Sequence, residues 1–287
     1  MDTKINIREF FKELFPQDKI NNDDKLIKAY IEEAEFGFNR IEKFLDFENN
    51  KEFKILEVGA GSFLLTSYLA YRGLNITALE PVSGGFECFN LMQQAVLEYC
   101  KLNNINFKII ASKAEDFSSD EKYDFVFLVN VLEHIEEPFK ALDNMKNVLK
   151  DAGKVFIHCP NYLIPYEPHF RMFLLPFGKK INEFIFKNKI KEKHELWNDL
   201  NFINYNQIVN YSKQRKLSVQ FNHEIIYESF KRLSDANNKE FKNRIPKFIF
   251  VIYKLLTLTK LIKLLKLMPS KYQTPMEFII QCKKIKE

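Results

Sequence analysis

Apolar residues recur at helical spacing through the first fifty positions. Ile7, Phe10, Phe11 and Leu14 share one face, as do Ile27, Ile31, Ala34, Phe38, Ile41 and Leu45, so residues 1–50 predict an N-terminal helical cap. From Lys54 the period shortens. FKILEVG, LNITALEP, FKIIAS, YDFVFLVN and GKVFIHCP are short runs rich in Ile, Val and Phe, which predict strands. Helical spacing returns between them over Leu64–Tyr71, 86–103 and 138–149, each long enough for a crossover connection. Alternating strand and helix predicts an α/β domain with a parallel sheet over 51–287. After Pro160 the alternation breaks into NYLIPYEPHFRMFLLPFGKK, a Pro-rich, aromatic insertion of loop and short helices at about 161–205. A helix over 206–216 and a strand over 217–226 follow, then a second insertion at about 228–275 and a last strand over Met276–Cys282.

Composition narrows the class. With 46% apolar residues in 287, the chain can bury a sizeable core. The opening MDTKINIREFFKELFPQDKI mixes acids and bases through its apolar positions, so no secretory signal is expected. The most apolar window, FIFVIY, is cut by Lys254 and is far shorter than a membrane span requires. Cys88, Cys100, Cys159 and Cys282 lack Cys-x-x-Cys spacing and read as reduced thiols of a cytoplasmic protein. A formal net charge of +5 spread over a Lys-rich, Asn-rich chain carries little information about partners.

The chemistry concentrates first in KILEVGAGSF. A glycine pair after a buried strand lets the backbone approach a nucleotide closely, with a helix N-terminus behind it. A dinucleotide site wants a third glycine where Leu64 stands, and it places a pyrophosphate at the turn, where Glu57 would repel it. A carboxylate there favours a cationic ligand such as a sulfonium or ammonium.

The segment L-E-V-G-A-G, Leu56 to Gly61, resembles motif I of the class I S-adenosylmethionine-dependent methyltransferases, although Phe63 stands where that family often has a third glycine. Glu80 ends the second strand nineteen to twenty-one residues past the glycines, where an acid can bond both ribose hydroxyls. Asp116, in AEDF after the third strand, is similar to the acid that bonds the adenine amino group, and it also fits a helix cap. The fourth strand ends in FLVNVLEHIEEP, which resembles the ubiquinone-biosynthesis O-methyltransferases, where residues at the positions of Asn130 and Val131 face the methionine part of the cofactor. The resemblance covers 51–161. It implies a Rossmann-like, seven-stranded, mostly parallel sheet with one antiparallel strand, S-adenosylmethionine as cofactor, and binding by Glu57, Gly59, Ala60, Gly61, Glu80, Asp116, Asn130 and Val131. Phe63 is expected to pack in the core.

Methyl transfer needs alignment of the acceptor atom, and an alcohol acceptor also needs a base. His134, beside Glu133, is the first candidate, with a turn-capping role as the alternative; His169 with Glu167 is the second. His158 reads as a core residue. The aromatic insertion and Trp197 are expected to wall the acceptor pocket. No metal is expected, because Cys and His lack ligand spacing. The Asn/Asp-Pro-Pro-aromatic motif of nucleic-acid base methylation is absent after the fourth strand, and no nucleic acid partner is expected.

Residues 241–268 hold seven bases and no acid. Leu258, Leu261, Ile262 and Leu265 form one helical face opposite Lys260, Lys263 and Lys266, while Lys254 falls on the apolar side, which predicts a break there. Two readings fit: peripheral contact with the inner face of a membrane, or a lid packed over the pocket with solvated lysines. The expected function is methylation, at oxygen, of a small-molecule, sugar or lipid-linked acceptor. Its rivals are a non-catalytic cofactor-binding module attached through the basic segment, and an NAD(P)-dependent oxidoreductase.

Overall fold

Asn6 starts helix α1 (Ile7–Leu14) with a reciprocal cap: its side chain accepts the Arg8 and Glu9 amides at 3.0 and 3.1 Å, and Glu9 accepts the Asn6 amide at 3.2 Å. Helix α2 (Asp24–Ile41) follows, then β1 (Lys54–Val58), α3 (Leu64–Tyr71), β2 (Asn75–Leu79), α4 (Glu87–Leu102), β3 (Lys108–Ile110), β4 (Tyr123–Val129), α5 (Pro138–Asn147) and β5 (Leu149–Cys159). The computed structural model describes residues 5–15, 24–48, 52–81, 87–234, 242 and 245–282. The side chains of Cys88 and Cys282 lie outside the described positions; Cys100 and Cys159 are buried free thiols.

The chain divides into two compact units, one of Met1–Val129, Lys140–Phe156 and Lys284–Glu287, the other of Asn130–Phe139 and Ile157–Lys283. In the first, β1 pairs in parallel with β2 and with β4, and β2 with β3. Ile55, Leu56, Glu57 and Val58 are all buried, as a parallel strand covered on both faces requires. The apolar face of α1 docks here: Phe10 packs against Tyr68 and Tyr71 of α3 and Tyr99 of α4, ring centres 5.0 to 5.6 Å apart. Phe63 is buried, its ring 6.0 Å from that of Phe107.

The second unit holds a short hairpin of β6 (Tyr166–Glu167) and β7 (Met172–Phe173), helices α6 (Lys179–Ile185), α7 (Lys187–Ile190), α8 (His194–Asp199) and α9 (Tyr205–Gln214), then β8 (Leu217–Phe221), α10 (Ile225–Arg232), α11 (Lys247–Leu258), a 3-10 turn over Leu261–Leu267, and β9 (Met276–Cys282). The sheet order is β3-β2-β1-β4-β5-β9-β8, with β8 and β9 antiparallel, which is the mostly parallel, seven-stranded Rossmann-like arrangement expected.

Three local expectations change. The strand over 217–226 ends at Phe221, because Asn222 donates its amide and side chain to Glu277 and its Oδ1 caps Glu224, which turns the chain into α10. Helix α11 runs through Lys254 unbroken to Leu258, and Lys260, whose φ of 59° lies in the left-handed region, turns the chain out of it. Trp197 is fully buried rather than lining an acceptor pocket, set edge-on to Phe170 and Phe202 in the core of the first insertion. Asn182 pins that insertion: its side chain exchanges bonds with the Leu175 amide and carbonyl at 2.7 and 2.8 Å and donates to Gly178 at 2.8 Å.

Candidate active site

In the first unit, β1 delivers Glu57 and then turns sharply. Gly59 (φ 71°) and Gly61 (φ 51°) both occupy the left-handed region, which a side chain would strain. The Gly59 amide donates to Leu79 at 2.8 Å, and the Gly61 amide donates to the Glu80 carboxylate at 2.9 Å, so the turn is fastened to the end of β2. Gln93 of α4 donates to the Gly61 carbonyl at 2.6 Å from the other side. Ala60 is buried between the two glycines.

Glu57 is also buried and accepts a short bond from the Thr66 hydroxyl. Burial pushes its carboxyl up to about 8, the Thr66 bond pulls it down and nearby Glu80 pushes it further up. Burial raises Glu80 as well, against the Gly61 amide that favours its charge. Two desolvated acids therefore sit at one glycine turn. Asp116 is placed differently: its carboxylate is exposed at the surface and ion-paired with Lys140 at 3.3 Å.

In the second unit, Asn130 takes a left-handed φ of 56° and donates its amide to His158 at 2.8 Å; Val131 leads into a 3-10 turn over Leu132–His134. The His134 ring meets the His169 ring edge-on at 5.3 Å. His169 Nδ1 lies 2.6 Å from Glu167, whose other oxygen accepts the Phe170 amide at 2.6 Å; Tyr162 donates to Glu167 at 3.2 Å. With Glu167 accepting at Nδ1, the lone pair of a neutral His169 falls on Nε2. Burial, then the neighbouring His169, lowers His134 from 6.5 to about 4, so its imidazole is neutral at pH 7. His158 is buried, 3.4 Å from Glu277.

Candidates far apart in sequence are thus joined: Glu57, Gly59, Ala60, Gly61 and Glu80 around one turn, and His134 with His169 in one cluster. One contributor, Asn201, has no signal in the sequence. Asn201 clamps the His134 turn, donating its side chain to the Leu132 and Ile135 carbonyls at 2.7 and 2.8 Å and its amide to Glu133 at 2.9 Å. Glu133 is fully buried, 4.0 Å from His134. Donor atoms of Glu133, His134 and His169 all lie within 4.8 Å of one another, so these three side chains could close on one divalent cation. Ligand spacing along the chain could not disclose that set, because the residues converge only in the fold.

A family model described as "Methyltransferase domain" matches residues 30–224. An uncharacterized protein of Mycobacterium tuberculosis (strain ATCC 25618 / H37Rv) is 34% identical over 197 residues, 66% of this chain and 65% of the relative. A ubiquinone biosynthesis O-methyltransferase of Rickettsia bellii (strain OSU 85-389) is 29% identical over 42% of this chain and 48% of that protein. The chain thus spans under two-thirds of the length of these curated relatives. Among solved structures, a putative O-methyltransferase from Nostoc punctiforme PCC 73102 aligns with 16% identity and a TM-score of 0.45, over 69% of this chain and 55% of that one. With the family match extending over more than half of its residues, the chain belongs to the methyltransferase-domain family, among the class I S-adenosylmethionine-dependent methyltransferases.

Proposed function

We propose that the chain transfers a methyl group from S-adenosylmethionine to an oxygen of a small-molecule, sugar or lipid-linked acceptor. The observation that carries the reading is the pair of buried acids at the glycine turn. A dinucleotide would bring a pyrophosphate against them, whereas a ligand with a positive sulfur and amino group relieves their desolvation. The bound donor would supply an electrophilic methyl carbon. Glu57 and Glu80 would hold its charged and ribose parts, and the backbone of Gly59 to Gly61 would admit it closely.

Oxygen is favoured because an alcohol needs its proton removed, and the clustered His134 and His169 imidazoles offer an acceptor for it. In the neighbouring pair, His169 has its ring fixed by Glu167. The naming of the Rickettsia bellii relative as an O-methyltransferase points the same way.

The deciding experiment is incubation of the purified protein with methyl-labelled donor and fractionated extract, followed by identification of the labelled compound. Label in a methyl ether supports the reading. Donor binding without any labelled product or spent thioether removes the catalytic claim and leaves a binding module.

A further inference from the structure

Helix α11 turns apolar side chains toward solvent. At 3.6 residues per turn Phe248, Val251, Ile252, Leu255 and Leu258 fall on one stripe, and all five are exposed, Leu258 by 82% and Val251 by 67%. The inward side is also apolar: Ile249 and Leu256 are half-buried, and Tyr253 packs 6.4 Å from Phe230 of α10. Tertiary packing therefore already has a face of this helix, and the solvent stripe is a second one.

The segment after it repeats the theme with another period. Lys260 to Met268 reads KLI-KLL-KLM, and the chain over Leu261–Leu267 is a 3-10 turn with three residues per turn. Each kind of residue consequently forms its own row. Leu261, Leu264 and Leu267 are exposed by 47, 56 and 78%. Ile262, Leu265 and Met268 are half-buried, and Lys260, Lys263 and Lys266 form the third row. In the first insertion, Phe173 of β7 stacks on Phe248 at 6.1 Å, itself half exposed, and extends the apolar surface.

Charge selects the occupant. From Ile245 to Met268 there are five lysines and no acid. Lys266 is drawn to Glu224 at 2.6 Å and lies over the Tyr227 ring, but Lys247, Lys254, Lys260 and Lys263 are exposed. In α11 the two lysines border the apolar stripe instead of opposing it. Rows of leucine edged by long cationic stems match a surface that is hydrocarbon below and anionic above, since lysine can bury its methylenes and keep its ammonium at the phosphates. Among the described residues no helix is long and apolar enough to cross a membrane, so the contact would lie along the surface.

We propose that α11, the Leu261–Leu267 turn and Phe173 together form a docking surface that lies in the headgroup layer of an anionic lipid bilayer. It is independent of the methyl-transfer reading.

Flotation of the full chain with phosphatidylcholine vesicles, with and without phosphatidylglycerol, tests it. The wild type is expected to rise with the anionic vesicles only, and less so in high salt. Combined Val251→Ser, Leu255→Ser and Leu258→Ser should abolish flotation, and each of Lys247→Gln, Lys254→Gln, Lys260→Gln and Lys263→Gln should weaken partitioning about fivefold. Lys12→Gln and Lys101→Gln, exposed in the first unit, should leave it unchanged. Circular dichroism confirms that each variant is folded, as exposed positions allow. A wild type that stays at the bottom with every vesicle overturns the proposal, as does flotation that survives both sets of substitutions. Light scattering separates the rival occupant: a dimer that the serine changes convert to monomer, without flotation, would make this face a contact between copies.

Discussion

Glu57 links ligand binding to protons. Burial holds its carboxyl near 8, so at pH 7 the ligand-free form carries a proton, and a cation placed beside it would expel that proton. Donor binding should therefore release protons and tighten as pH rises toward about 8, whereas the neutral thioether product should release fewer. Calorimetry in buffers of different ionisation enthalpy reads this directly; equal proton release for both ligands would remove Glu57 from the donor site. The raised value also means that the ligand-free fold has this contribution in full below about 4.5 and loses it as pH climbs through about 8. His134 has the opposite sign. Its value falls from 6.5 to about 4, so stability from the neutral ring is complete above 6.5 and is lost as pH drops through 4. As a base it stays competent down to mildly acidic pH. His134→Ala is expected to lower kcat by about a hundredfold to ten-thousandfold with donor affinity unchanged, and a chelator should leave wild-type turnover intact. If the chelator stops turnover, the cluster with Glu133 and His169 works through a cation instead.

Between elements, single side-chain amides carry much of the positioning. Asn201 ties the His134 turn to the segment after α8, and Asn182 closes the loop before α6. Asn201→Ala leaves buried carbonyls without their donor, so a cost of about 1–3 kcal/mol is expected as a lower urea midpoint. If the turn positions His134, kcat should fall in the same variant while donor binding persists. A variant that unfolds earlier but turns over normally would make Asn201 purely structural. The elements themselves were largely readable: β1, α3, β2 and β9 fall where period and β-branched content put them, because short buried strands and amphipathic helices are written in neighbouring residues. The KLI-KLL-KLM stretch was not. Its triplets also fit a helical face, and only the left-handed Lys260 resets the chain into a 3-10 turn whose leucines face solvent.

For the whole molecule, donor or thioether at a hundred times its Kd should add about 2.7 kcal/mol of stability. In a chain of this size that amounts to several degrees in Tm, while an added dinucleotide should give none. Stabilisation by the dinucleotide alone would return the oxidoreductase reading. The sequence by itself determined the order of strands and helices, the glycine turn with its flanking acids and the family that such an order implies, since each depends on spacing within one short segment. The tertiary structure alone decided that Trp197 is core, that Asp116 pairs with Lys140 at the surface, that Glu133 and His134 meet His169, and that a leucine row faces outward. Those outcomes depend on which distant segments bury one another, and burial sets both the charge a carboxyl or imidazole can carry and which apolar face is left to the solvent.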